Sequence, residues 1–282
     1  MPRPFDPIDP IPLEEQRGQT YVRLVELMQR LLAPDGCPWD REQSYESLRR
    51  YVLEEAAEVV DAIDRGDRQD LRDEIGDLLL QAVFLGELAR REGAFGPDDV
   101  VKAIVDKLVR RHPHVFSDVE VDSASEVLGS WERIKASERK ASGKTDHGVL
   151  GGIPRTLPAL LRAQRLGEKA ASVGFDWPDA TGPRAKLDEE LAELDEALAG
   201  GDPDRIEMEL GDVLFALVNV ARHARVDAEA ALRRVNASFV ERFAHVEQLV
   251  KEHHGGFDRG PIPLETLEAY WQRAKERQSE RG

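Results

Sequence analysis

Apolar residues recur along this chain at intervals of three and four, with few β-branched alternations, so the pattern predicts helices and an all-α fold. The first run, from about Glu14 to Leu32, carries Val22, Val25, Leu27, Met28, Leu31 and Leu32 before PDGCPWD breaks it into a loop. Ser44 or Ser47 can cap a second helix through Leu48, Val52, Leu53, Val59, Val60 and Ile63, which stops at Arg65-Gly66-Asp67. A long helix follows from about Asp70 to Arg91. After GAFGP, Pro97 suits a first helical turn, and Val100, Val101, Ile104, Val105 and Leu108 mark another amphipathic helix ending near HPHVF. A short helix then holds Leu128, Trp131 and Ile134.

The second half repeats the first. LEEAAEVVDAI at 53–63 matches LDEELAELDEAL at 187–198, and DEIGDLLLQAV at 73–83 matches MELGDVLFALV at 208–218, both with an offset of 135 residues. KLVRRHPHVF echoes SFVERFAHVE, WERIK echoes WQRAK, and Trp39 corresponds to Trp177, the offset drifting as loop lengths change. Between the copies, ASGKTDHGVLGGIPRTLP is dense in Gly, Ser, Thr and Pro. The expected organisation is a flexible arm over 1–13, a helical domain over 14–140, a linker over 141–158 and a second copy of the domain over 159–282.

A net charge of −16 over 282 residues weighs against a surface that tracks nucleic acid, which needs clustered Lys and Arg. A triphosphate can still bind where a divalent cation and a few placed basic residues cancel the repulsion. The single cysteine, Cys37, leaves no disulfide within the chain and fits a reducing compartment, so a cytoplasmic location is expected. The Pro- and Asp-rich start lacks the basic and apolar regions of a signal peptide, and no membrane span is expected.

Acids carry the main chemical signal. On a helix, Glu55 with Glu58 and Glu74 with Asp77 each share a face. In an antiparallel hairpin, residues equidistant from the turn lie at equal height. Glu58 with Glu74, and Glu55 with Asp77, both centre on Gly66; Glu193 with Glu209, and Glu190 with Asp212, both centre on Gly201. Each hairpin therefore carries a two-rung ladder of carboxylates, an oxygen-only ligand set suited to Mg²⁺ or Mn²⁺. A solvated acidic face is the bland reading of one such motif. Its recurrence with identical separations, and the repulsion of unneutralised like charges, favour a cation site. A di-iron bundle would need Glu-x-x-His, which neither copy has.

These residues resemble the MazG family of all-α NTP pyrophosphatases, specifically its two-domain members. GCPWD, RRHPHVF, LPALLRAQR, VGFDW and the acid hairpins carry the likeness, which covers about residues 20 to 278. The resemblance implies tandem helical bundles, a homodimer, Mg²⁺ held by the acids, and hydrolysis of NTPs or dNTPs to monophosphate and pyrophosphate. It implies that the C-terminal copy is the active one. Glu190, Glu193, Glu209 and Asp212 would then hold metal with Glu189 adjacent in the catalytic set, while Lys186, Arg242, Trp271 and Lys275 contact nucleotide. Lys186 and Asn219 match the C-terminal pattern, and Tyr51 and Phe84 stand at the corresponding places in the first copy. One departure is Ser238 in SFVERF, where the family usually has Lys. The first copy keeps all four acids with Lys107, Arg111, Trp131 and Lys135.

Simpler roles stand beside these. Lys186 with Glu190 can be an i,i+4 ion pair, Trp271 and Trp131 can be core, and Phe215 with the Leu/Val stripe after each Gly-Asp reads as core. None of the seven histidines shows a metal-ligand pattern. At the level of function, the alternatives are a narrower dNTPase acting on dUTP, dCTP or damaged nucleotides, and a nucleotide-binding regulator or scaffold without turnover.

Overall fold

The first apolar stripe forms helix α1, Tyr21–Leu32, which buries Val25, Met28 and Leu32. Its N-terminus is capped by Thr20, whose Oγ1 accepts from the Arg23 amide. The computed structural model describes residues 20–117 and 148–280, together with Ser123, Glu126, Val127, Ile134 and Glu138. The proposed arm and residues 14–19 of the expected first helix, together with Leu128, Trp131, Lys135 and part of the linker, lie outside the described residues; Thr20 is extended, so the helix seen starts at Tyr21. Among those described, every regular element is helical. The chain divides into two units, Met1–Lys144 and Thr145–Gly282.

In the first unit, the segment expected to be loop makes a single turn, α2 (Pro38–Arg41). Pro38 at its start has φ already set for a helix, which is why PWDR coils. Helix α3 (Tyr45–Arg65) uses both candidate caps. The Ser44 hydroxyl accepts from the Ser47 amide at 3.3 Å, and the Ser47 hydroxyl accepts from the Ser44 amide at 2.9 Å. Gly66 ends the helix at φ 71°, a left-handed position where a side chain would strain the backbone. Asp67 then caps α4 (Arg68–Arg91) by accepting from the Gln69 and Asp70 amides, which starts that helix slightly earlier than its apolar pattern does.

Helices α1, α3 and α4 close over Val25, Met28, Leu32, Leu48, Val83, Phe84 and Leu88. Each such side chain contributes about 1.5–3 kcal/mol when fully buried. Pro97 opens α5 (Pro97–Arg111), and α6 (Pro113–Phe116) follows. The apolar stripe of α5, Val100, Val101, Ile104, Val105 and Leu108, remains 39–47% exposed. At its end, Arg110 and Arg111 each lie 2.6 Å from a carboxylate oxygen of Glu138 and pull its pKa down to about 2.

The second unit contains α7 (Ala159–Ala171), α8 (Thr181–Gly200), α9 (Pro203–His223), α10 (Ala228–His254), a 3₁₀ turn at Phe257–Arg259 and α11 (Leu264–Ser279). Gly201, again at φ 71°, turns α8 into α9, and Asp202 caps α9 as Asp67 caps α4. Helix α7 packs on α9 as α1 packs on α4. Helices α10 and α11 close around Val246, Val250 and Tyr270. No helix among the described residues is long and apolar enough to cross a membrane.

Candidate metal and nucleotide site

The glycine turns set the register of each hairpin and bring acids from its two arms together. In the first unit, carboxylate oxygens of Glu55, Glu58 and Glu74 lie within 4.8 Å of one another; in the second, those of Glu190, Glu193 and Glu209 do. The predicted ladders had four members each. Asp77 and Asp212 are exposed and stand outside these groups of three. Each sits on the rung farther from the turn, and an aspartate reaches one methylene less than a glutamate. Asp77 still acts on the cluster through its charge, which is the strongest of the neighbouring charges that raise the Glu55 pKa.

Charge repulsion is written into both groups. Partial burial, then Asp77 and Glu58, push the Glu55 pKa up, and burial followed by Glu58 and Asp70 does the same to Glu74. Glu193 is raised by burial and then by Glu190 and Glu209. An all-oxygen, like-charged set of this kind fits a hard divalent cation, whose charge would relieve the repulsion.

The two clusters differ in what flanks them. In the second unit Lys186 Nζ lies 2.7 Å from a Glu190 oxygen and 2.7 Å from a Glu189 oxygen, so it is an ion pair beside the cluster, and these partners raise its pKa. Arg205 approaches Glu209 at 3.7 Å. In the first unit the corresponding positions hold Tyr51 and Asp70. Arg205 was missed in the sequence, although its i,i+4 spacing to Glu209 was a visible signal. Burial differs as well: Glu190 and Glu209 are 6% and 8% exposed, whereas Glu58 is exposed and Glu55 and Glu74 are half-buried.

The predicted nucleotide contacts of α10 and α11 form a separate group. Arg242 Nε donates to Gln278 Oε1 at 2.6 Å, and the Ser238 hydroxyl donates to the same oxygen at 3.0 Å. The Arg242 guanidinium stands 5.8 Å from the Trp271 ring centre. Trp271 is half-buried, 5.0 Å from Phe239, and packs against the Val246–Tyr270 core, so its packing role is evident. Lys275 is exposed one turn further along α11. No hydrogen bond or ion pair joins this group to the acids among the described residues. In the first unit Lys107 and Arg111 lie on α5, and Arg111 is taken up by Glu138.

A third feature had no local signal. Asp176, in the loop before α8, accepts from Arg222 at 2.8 and 2.6 Å and lies 3.1 Å from His223 Nε2. Arg222, then His223, hold its carboxyl well below the usual carboxylate range. This clamp fastens the GFDW loop to the C-terminal end of α9, beyond the acids. Phe215, read as core, is 42% exposed and faces the same region.

The MazG nucleotide pyrophosphohydrolase domain matches the chain twice, over residues 43–116 and 182–250, spans that include both acid hairpins. The nucleoside triphosphate pyrophosphohydrolase of Escherichia coli (strain K12) is 47% identical over 259 residues, covering 90% of this chain and 96% of that protein. The nucleoside triphosphate pyrophosphohydrolase/pyrophosphatase MazG of Thermotoga maritima is 43% identical over 261 residues, covering 93% and 98%. The nucleoside triphosphate pyrophosphohydrolase of Mycolicibacterium smegmatis is 31% identical over 278 residues, covering 95% and 74%. With both hairpins inside the matched segments and relatives aligned over nearly their whole length, this chain belongs to the MazG family.

Proposed function

We propose that the chain hydrolyses nucleoside triphosphates to monophosphate and pyrophosphate, with broad base tolerance, at the second acid cluster. The observation that carries the reading is the group Glu190, Glu193 and Glu209, three carboxylates within 4.8 Å flanked by Lys186 and Arg205. Relatives named for this activity, spanning almost the full chain, support it.

Glu190, Glu193 and Glu209 would hold the cation, Mg²⁺ or Mn²⁺, with Asp212 closing the site when substrate arrives. Bound there, such an ion supplies charge neutralisation at phosphate oxygens and a polarised water. Glu193, through the carboxylate oxygen not given to the cation, would accept a proton from such a water. Glu189 keeps Lys186 at the rim, where the ammonium can turn from carboxylate to phosphate. Arg242 and Lys275 neutralise further phosphate charge, and Trp271 offers a ring edge. A homodimer is part of this reading: the exposed Val235, Phe239 and Val240 of α10 suit cover by a second copy. The lone Cys37 supports a cytoplasmic setting.

Incubating the chain with each NTP and dNTP plus Mg²⁺, with identification of products, tests the proposal. Monophosphate and pyrophosphate are expected from several bases. Diphosphate and inorganic phosphate, or binding without turnover, would overturn it.

A further inference from the structure

The two copies of the domain also differ at one place beside the hairpin. In the second unit a cavity of about 280 Å³ lies between α7, α9 and the GFDW loop, lined by Leu166, Gly167, Phe175, Trp177, Phe215 and Asn219, with Arg222 at its edge. In the first unit the same place is filled. The offset that carries Trp39 to Trp177 carries Gln29 to Gly167, and the offset between the hairpins carries Phe84 to Asn219 and Glu87 to Arg222. Phe84 and Glu87 are each 3% exposed there, Glu87 accepting from the exposed Gln29 at 3.2 Å, so the Phe84 ring occupies the corresponding volume.

Two of these substitutions, Gly167 for Gln29 and Asn219 for Phe84, remove side-chain volume from the space. At Gly167 a Cβ would meet Asn219 Oδ1 and Arg222 Nε at 3.0 Å, so the absence of a side chain there lets the amide and guanidinium take their places. Asn219 is 6% exposed, and its geometry is fixed. Its Nδ2 donates to the Phe215 carbonyl at 3.2 Å, and its Oδ1 accepts from Arg222. Asp176 neutralises Arg222, so the cavity carries no net charge and does not suit phosphate. It offers instead three aromatic side chains and one fixed amide, the chemistry of a flat, neutral heterocycle.

The cavity and the acids also share a line. Glu209, Asp212, Phe215, Asn219 and Arg222 follow one another at intervals of three or four along α9, a stripe that winds gradually around the helix. We infer that this cavity reads the nucleobase of the substrate, with the second Nδ2 hydrogen of Asn219 as its polar reader, and that the first unit, plugged by Phe84, has no such reader. The inference rests on the nucleotide-hydrolase reading of the chain and adds to it the residues that set base preference.

The test uses the full chain and measures affinity, apart from turnover. With Mg²⁺ present, dissociation constants are obtained for the α,β-methylene analogues of the four ribonucleoside triphosphates and for the methylene triphosphate ester of ribose, which has no base. Two variants are compared with the wild type. Asn219→Phe copies the first unit into the second, and Phe175→Ala removes a ring that is 81% exposed and whose loss the fold tolerates. In each, affinity for the nucleotides should fall ~10-fold or more beyond any fall for the base-free ester, and the spread among bases should narrow. Equal losses on base-containing and base-free ligands, or an unchanged spread in both variants, would overturn the inference. A wild type that binds with base preference but turns nothing over would sink the hydrolase reading and leave the cavity's role standing.

Discussion

Lys186 Nζ and a carboxylate oxygen of Glu190 stand 2.7 Å apart, one helical turn from each other, at the edge of the second acid cluster. The ammonium occupies a charge that a cation would also claim, and it is positioned to pass to a phosphate when the cation binds. Lys186→Met should therefore weaken the apparent binding of NTP, raising KM ~10-fold, while lowering the Mg²⁺ concentration needed for half-maximal rate. Steady-state kinetics over a matrix of NTP and Mg²⁺ concentrations checks both directions. A variant whose Mg²⁺ requirement rises would contradict this role.

Removing the proton acceptor separates the two copies. Glu193→Gln should reduce kcat by ~100-fold or more, whereas Glu58→Gln, on a cluster flanked by Tyr51 and Asp70 instead of two cations, should leave at least half of it. Pyrophosphate release, measured for both variants on one substrate, decides the matter. The reverse outcome would move the chemistry to the first unit.

The same acids should weigh on the fold when no cation is present. A carboxyl whose folded pKa is raised contributes stability below its ordinary value and loses it as pH rises through the folded value. Glu55, Glu74 and Glu193 are all raised, so between an ordinary glutamate value and neutral pH the metal-free clusters oppose folding. Chelated protein should have a lower Tm than protein in Mg²⁺, and Glu193→Gln should raise the chelated Tm while reducing the gain from Mg²⁺. Calorimetry with chelator and with Mg²⁺ at several pH values provides the comparison.

Asp176 shows the opposite sign. Its folded pKa is depressed by Arg222, so its contribution is full above the ordinary value of 3.8 and is lost as pH falls from there towards the folded value. Asp176→Asn should cost about 1–3 kcal/mol at neutral pH, the range for charge-assisted hydrogen bonds. Urea melts should show the deficit constant from pH 7 to about 5 and shrinking below pH 4. A deficit unchanged at low pH would mean that the loop is held by packing alone.

How much of this was legible beforehand depends on the distance over which each feature is encoded. The hairpins were readable because their information is local: acids at helical spacing, and Gly66 and Gly201 halfway between matched pairs. The caps were readable for the same reason, although the reciprocal use of Ser44 and Ser47 needed coordinates. The membership of each cluster was not, since helical periodicity places Asp77 and Asp212 on the right face without saying that their shorter side chains stop short. The Asp176–Arg222 clamp joins residues 46 positions apart and leaves no periodic trace. Phe215 misled because an apolar residue at core spacing lines a cavity in the same way as it lines a core.

The turn glycines give the molecule a kind of vernier. Both sit at φ 71° and close their hairpins with the same economy, so the height at which facing carboxylates meet is set by the count of residues through the bend. One residue added beside Gly201 would slide one arm against the other by up to about 1.5 Å and swing its side chains by about 100° around the axis, since a helix makes 3.6 residues per turn. Each helix would survive intact, and the meeting point of Glu193 and Glu209 would be gone. Length at the bend is thus under tighter constraint than residue type along much of the arms, an unusual demand for an exposed loop.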